Sequence, residues 1–222
     1  MQSFISLAQI DEVTNMIRSR ISIQPVVGLI LGSGLNGLAD SVQNPIHIPY
    51  SDLPNFPTST VHGHVGQFVI GELEGKAVIV MQGRIHYYEG YTMGQVTLPV
   101  RVMHRLGVQS MFVTNAAGGV NADFAPGDVM LITDQLNLMG MSGLNPLMGP
   151  NLDEIGPRFP DMSQPYDREY FDLARGVAKK NNLTLREGVY AGLSGPSFES
   201  PADLRFLRLA GVISFALIAA PF

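Results

Sequence analysis

The chain has 222 residues, room for one large α/β domain or two small ones, and with 45% hydrophobic and 15% charged residues it can bury a sizeable core rather than stay disordered. Its 14 basic and 19 acidic side chains leave a net charge of -5, which argues against a nucleic-acid or anionic-membrane surface but not against a small anion held by a few placed donors. The absence of Cys excludes disulfides and thiolate metal sites.

The opening MQSFISLAQIDEV has no basic stretch leading into a long apolar run, so it does not read as a signal peptide. No segment approaches the roughly 18 consecutive apolar residues of a membrane span, and a soluble cytoplasmic protein is the expectation. Leu7 to Arg20 carries apolar residues at helical spacing. Val26–Leu31, Ala77–Met81, Ser110–Thr114, Asp128–Thr133 and Gly188–Leu193 are short, mostly apolar runs without clean alternation, as expected of central strands covered on both faces. Leu98 to Leu106 is a second helical stretch, with Pro99 placed near its start. Tyr170 to Lys180 is a third, ending in Lys179, Lys180 and Asn181 as a helix C-terminus does. Ser200-Pro201-Ala202-Asp203 predicts a helix start, with Ser as cap, Pro at the first position and Asp at the third. Met139 to Asp167 is Gly/Pro-rich and reads as a long functional loop. Strands alternating with helices give an α/β class with a mostly parallel, twisted mixed sheet flanked by helices, in a single domain over 1–222.

Ligands of open α/β sheets bind at the carboxyl ends of strands, so each strand end is a candidate site. Gly32-Ser33-Gly34-Leu35-Asn36-Gly37 follows the first strand and fits the dinucleotide fingerprint, which makes a nicotinamide-dependent oxidoreductase one reading. The acidic residue that reading needs would be Asp52, which sits between Pro49 and Pro54 in poor strand context. The same turn read without a dinucleotide offers backbone N–H groups and the Ser33 hydroxyl to an anion. A plain strand–helix turn is the third reading.

His62 and His64 stand two apart in STVHGHVG, as metal ligands can, although a lone His pair more often only hydrogen-bonds. Arg84, directly after KAVIVMQ, offers forked donors to an oxyanion, with His86 two residues on, unless Arg84 simply pairs with Glu89. Asn115-Ala116-Ala117-Gly118-Gly119 has side chains small enough for a ligand to approach the backbone. Gly195-Pro196-Ser197-Phe198-Glu199 sets an aromatic ring beside a carboxylate just before the capped helix.

Taken in order, LGSGLNGLAD, FPTSTVHGHVG, GRIHYYEGY, TNAAGGVN, GPRFPDMSQPYD and GPSFES resemble the purine nucleoside phosphorylases of the trimeric type, over about Val27 to Leu209. The resemblance implies reversible phosphorolysis of 6-oxopurine ribo- or deoxyribonucleosides such as inosine and guanosine. It implies phosphate held by Ser33, His64, Arg84, His86 and the Ala116 N–H, and ribose contacted by Tyr88, Tyr190 and Phe159, the last reaching a neighbouring subunit in a homotrimer. It implies the base held by Ala116, Ala117, Gly118, Phe198 and Glu199, with His86 and Glu199 as the catalytic pair. No metal and no organic cofactor are implied; purine nucleoside and inorganic phosphate are substrates, and neither nucleic acid nor membrane is a partner. The resemblance further implies that Glu199 accepts the N1–H of a 6-oxopurine, whereas adenine presents an acceptor there. Methylthioadenosine phosphorylases, which share the fold and phosphate site, do not resemble GPSFES.

After Arg208 the chain reads LAGVISFALIAAPF, where family members continue with Gly-Ala-Asp-Ala-Val-Gly-Met-Ser-Thr-like residues. The resemblance thus implies a domain truncated or altered after about Arg208, its C-terminal part missing, without the family's ribose-side Met, second phosphate-binding Ser and base-binding Asn. An inactive fragment that folds and binds phosphate is the alternative reading. Val212 to Leu217 still reads as a strand.

Overall fold

Ser6 starts the first helix, α1 (Leu7–Arg18). Its hydroxyl accepts from the Gln9 N–H while the Gln9 side chain accepts from the Ser6 N–H, satisfying two donors that a helix start leaves bare. The computed structural model describes residues 4–32, 34–59 and 65–217, which divide into two compact units.

The first unit runs to Ala116 and adds Pro146–Arg158. After α1 it contains β1 (Val27–Ile30), β2 (Gln43–Pro49), β3 (Gln67–Leu73), β4 (Lys76–Gln82), α2 (Met93–Leu106) and β5 (Ser110–Val113). The sheet order is β2-β3-β4-β1-β5, with β1 parallel to both β4 and β5 and with β2, β3 and β4 joined antiparallel. The main core packs Ile10, Val13 and Ile17 of α1 and Val102, Met103 and Leu106 of α2 with Ile30, Phe68, Ile70 and Ile79 from the strands.

The second unit covers Ala117–Asn145 and the described chain from Phe159. It contains β6 (Gly118–Gly119), β7 (Val129–Asn137), α3 (Leu138–Met141), α4 (Arg168–Lys180), β8 (Leu185–Leu193), α5 (Pro201–Leu209) and β9 (Val212–Leu217). The order is β6-β9-β8-β7, with β8 parallel to both neighbours and β6 antiparallel to β9. Its core is Val120, Ala191, Leu207 and Val212.

The α/β class, the five expected strands and the four expected helices are all present, with two mixed sheets in place of one. The strand expected at Val212 to Leu217 forms and pairs in parallel with β8. Three departures have physical reasons. Helix α2 begins at Met93, ahead of Pro99, because Thr92 and Gln95 form a capping box that outweighs the one donor proline removes. Strands β5 and β7 are not covered on both faces: they lie at sheet edges, with Phe112 and Val129 exposed. Strand β2, not anticipated, takes Pro45 and Pro49 into a sheet because an edge strand tolerates missing donors. No helix among the described residues is long and apolar enough to cross a membrane.

Candidate active site

In the first unit three adjacent parallel strands, β4-β1-β5, end side by side. β1 delivers Gly32, β4 delivers Gly83, Arg84 and His86, and β5 delivers Thr114, Asn115 and Ala116. The Gly83 turn has φ of 93°, a conformation that favours glycine, and its carbonyl accepts from the hydroxyl of the buried Tyr50 at 2.7 Å. Arg84 leaves that turn into the interior and is only 6% exposed. Its Nη1 donates to the Thr114 carbonyl at 2.5 Å, and its Nε lies 3.5 Å from His86 Nε2.

Glu89, which the sequence left open as a partner of Arg84, is engaged with His86. Its carboxylate sits against His86: Oε1 accepts from the His86 backbone N–H at 2.7 Å and lies 3.2 Å from Nδ1. Both side chains are nearly inaccessible, at 7% and 2% exposure for His86 and Glu89. The imidazole is therefore held at Nδ1 by a carboxylate and approached at Nε2 by a guanidinium. Tyr88 stacks on it, with ring centroids 4.8 Å apart and planes 22° apart. Burial first, then the neighbouring Glu89 charge, raise the Tyr88 pKa against an opposing effect of Arg84, so the phenol stays neutral. Arg84, His86, Tyr88 and Ala116 thus belong to one unit, and the first three are in direct reach of one another.

Ser33 and His64, expected beside them, lie outside the described residues, as does His62. The chain entering the 60–64 segment is tied to this cluster: Ser59 Oγ donates to Glu89 Oε2 at 3.4 Å, and the Tyr91 hydroxyl donates to the Thr58 carbonyl at 2.7 Å.

The second unit holds the remaining candidates. Ala117 and Gly118 open it, with Gly118 paired to Phe215 so closely that a Cβ would meet that ring at 2.8 Å. Tyr190 is buried in β8. Phe198 and Glu199, on the loop that follows β8, line a pocket of about 370 Å³ with Leu138 and Met139 of α3 and Phe206 and Leu207 of α5. Phe198 is 89% exposed and Phe159, from the 159–167 segment, 87%. The capping box expected at the start of α5 is present: Ser200 Oγ accepts from the Asp203 N–H at 3.2 Å and Asp203 accepts from the Ser200 N–H at 2.9 Å. The Ser200 hydroxyl also donates to the Asp203 carboxylate at 2.7 Å, and this bond first, then that from the Ser200 N–H, holds the Asp203 carboxyl below its usual range. Phe198 and Glu199 thereby gain a rigid support immediately C-terminal to them.

The dinucleotide reading of the Gly32 turn fails on local structure. Asp52 pairs with Arg20 at 2.8 Å, and the strand after the turn is the edge strand β2, antiparallel to β3, rather than the parallel neighbour of a βαβ unit. The bond of Glu89 to His86 and the role of Thr114 escaped the sequence reading. Glu89 is three residues beyond His86, the spacing of a capping box, and that spacing was a usable signal. Thr114 carries no signal at all without the strand register. Among the described residues no cluster of three or more His, Asp or Glu is placed to hold a metal ion.

The family model of the phosphorylase superfamily matches residues 26–215, running past Arg208 into β9. The chain is 54% identical over 202 residues to purine nucleoside phosphorylase 1 of Geobacillus stearothermophilus, covering 91% of this chain and 73% of that protein. It is 51% identical over 213 residues to purine nucleoside phosphorylase 1 of Bacillus subtilis, covering 96% and 78%. In structure it is similar to the purine nucleoside phosphorylase of Schistosoma mansoni in complex with inosine, with a TM-score of 0.91, 42% identity, and coverage of 97% of this chain and 76% of that one.

Proposed function

The chain belongs to the phosphorylase superfamily, and from that premise we propose that it is a purine nucleoside phosphorylase acting on 6-oxopurine nucleosides. The observation that carries the reading is the buried Arg84 at the carboxyl end of β4, with His86 beside it and the Glu89 carboxylate behind the imidazole. One guanidinium, one imidazole and neutral donors can position a phosphate dianion without forming a covalent enzyme intermediate.

In the reaction proposed, a phosphate oxygen forms a bond to the anomeric carbon of the sugar as the bond from that carbon to the purine nitrogen breaks. Positive charge develops on the sugar and negative charge on the departing base. The products are free base and ribose 1-phosphate or its deoxy counterpart. Arg84, His86 and the Ala116 N–H hold phosphate, joined by Ser33 and His64, and Tyr88 and Tyr190 contact the sugar. Ala117, Gly118 and Phe198 pack on the base, and Glu199 accepts its N1–H. Phe159, almost fully exposed, meets a neighbouring subunit's sugar site in a homotrimer. Phosphate enters as a substrate, and no cofactor takes part. The loop 194–199 supports the base assignment, because it presents a half-buried carboxylate beside an aromatic ring at a pocket mouth.

The test is release of hypoxanthine from inosine by this 222-residue chain, with phosphate present and absent, and with adenosine in parallel. Phosphate-dependent release from inosine, with adenosine left largely intact, is the expected result. A folded chain that releases no hypoxanthine would refute the activity, and equal cleavage of adenosine would refute the role given to Glu199.

A further inference from the structure

Between Arg84 and the Gly32 turn stands a side chain that the proposed reaction leaves without a role. Thr114, the first residue after β5, bonds in three directions. Its hydroxyl accepts from the Gly32 N–H at 2.9 Å and donates to the Ile30 carbonyl at 3.3 Å. Its carbonyl accepts from Arg84 Nη1 at 2.5 Å, and its own N–H donates to the Ile30 carbonyl at 2.9 Å. One residue therefore ties the end of β1 to the side chain that leaves β4.

The junction is tight. A Cβ added to Gly32 would meet the Asn115 Cα and the Thr114 carbonyl oxygen, each at 2.6 Å, so the two strand ends are as close as their backbones allow. Gly32 is buried, and its N–H finds its acceptor in the Thr114 hydroxyl.

We propose that Thr114 is a positioning residue for the anion site: its hydroxyl sets where the Gly32 turn starts, and its carbonyl sets the plane of the Arg84 guanidinium. This rests on the reading of Arg84 as a phosphate ligand. Guanidinium recognition of an oxyanion is directional, because the donors form a planar fork. A shift of the Thr114 carbonyl turns that fork away from the anion while leaving the charge in place. A shift of Gly32 displaces the strand end from which the following turn departs. Both errors fall on phosphate and not on the nucleoside.

The experiment compares wild type, Thr114→Val and Thr114→Ser. Val keeps the shape and loses the hydroxyl; Ser keeps the hydroxyl. Calorimetric titration with inorganic phosphate needs no turnover, and steady-state kinetics then separates KM for phosphate from KM for inosine. Thr114→Val is expected to weaken phosphate binding about tenfold, equivalent to about 1.4 kcal/mol, with KM for inosine unchanged. Thr114→Ser is expected to stay within about twofold of wild type, because the hydroxyl donor and acceptor are both retained. Gly32→Ala gives a second route to the same displacement with Thr114 intact and is expected to weaken phosphate selectively. Equal phosphate affinity in wild type and Thr114→Val would overturn the inference and leave the site assignment standing. Equal losses for phosphate and inosine would overturn it too, by making Thr114 a general structural residue. A folded wild type that takes up no phosphate would instead overturn the assignment of Arg84, and the inference with it.

Discussion

Replacing Arg84 by Met tests the anion site where the structure is most specific about it. Arg84 is only 6% exposed, so bulk water has little access to take over its hydrogen bonds when it is removed. A hydrogen bond to a charged group contributes about 1.5–3 kcal/mol, which converts to a rise of about 10- to 150-fold in KM for phosphate. Met fills most of the vacated length, so packing around the site is largely kept. The Thr114 carbonyl, only part-buried, loses its Arg84 donor, which costs a further ~1 kcal/mol of folding stability. Arg84→Lys separates charge from geometry. It keeps a cation but not a planar fork, so its KM for phosphate should fall between those of wild type and Met. The assay is initial-rate phosphorolysis of inosine with phosphate varied at saturating nucleoside, alongside thermal unfolding followed by circular dichroism. A folded Arg84→Met chain with wild-type KM for phosphate would show that the buried guanidinium is a structural clamp on Thr114 and not a ligand.

Other side chains give outcomes of different kinds. Glu199→Gln should cut kcat/KM for inosine by about 10- to 150-fold, the equivalent of one charge-assisted bond, and narrow the preference over adenosine; a specificity ratio equal to wild type would remove Glu199 from base recognition. Leu207→Ala, at a site only 1% exposed in the wall of the pocket that Phe198 and Glu199 also line, should cost about 2–5 kcal/mol in urea unfolding. A loss well below that range would mean that the core around Val120, Ala191 and Val212 closes over the gap. Tyr50→Phe removes the hydroxyl that holds the Gly83 carbonyl and should cost about 1–3 kcal/mol at neutral pH. Burial raises the Tyr50 pKa well above its ordinary value. The unfolded chain therefore loses this proton first: the stability is fully present below about pH 10 and declines as pH rises toward the folded pKa. Stability measured against pH should consequently fall less steeply on the alkaline side in Tyr50→Phe, and identical alkaline slopes would refute this account of the buried phenol.

What could be read from the chain alone follows from which interactions are local. Ser200-Pro201-Ala202-Asp203 announced its helix because a capping box closes within four residues, and the structure has that box. The apolar runs announced β1, β4, β5, β7 and β8 because burial composition is a property of each run. Strand β3, read as nothing, has the sequence QFVIGEL, with Gly71 in its interior. That glycine is required by a neighbour remote in sequence, since a Cβ there would lie 2.4 Å from the Gln43 carbonyl oxygen across the ladder. The status of β5 and β7 as edge strands was equally out of reach, because a strand's place in the order depends on its partners.

The same division runs through the site. Arg84 and His86 stood out because a forked cation and an imidazole directly after an apolar strand are unusual on their own. The Gly32 turn supported three readings, and the facts that separate them lie elsewhere in the chain: Asp52 is taken by Arg20, and β2 runs antiparallel at the sheet edge. Thr114 was read only as a strand terminus. Its hydroxyl reaches Gly32 because β1 and β5 run parallel with Ile30 opposite Val113, which brings Thr114 up to the residues just past Ile30. Slipping that register by one residue would point the side chain to the other face and leave the Gly32 N–H without its acceptor. A site built on the ends of parallel strands thus inherits its precision from pairings made throughout the sheet. The residues that touch the ligand can be picked out by their chemistry, whereas those that aim them are fixed by register.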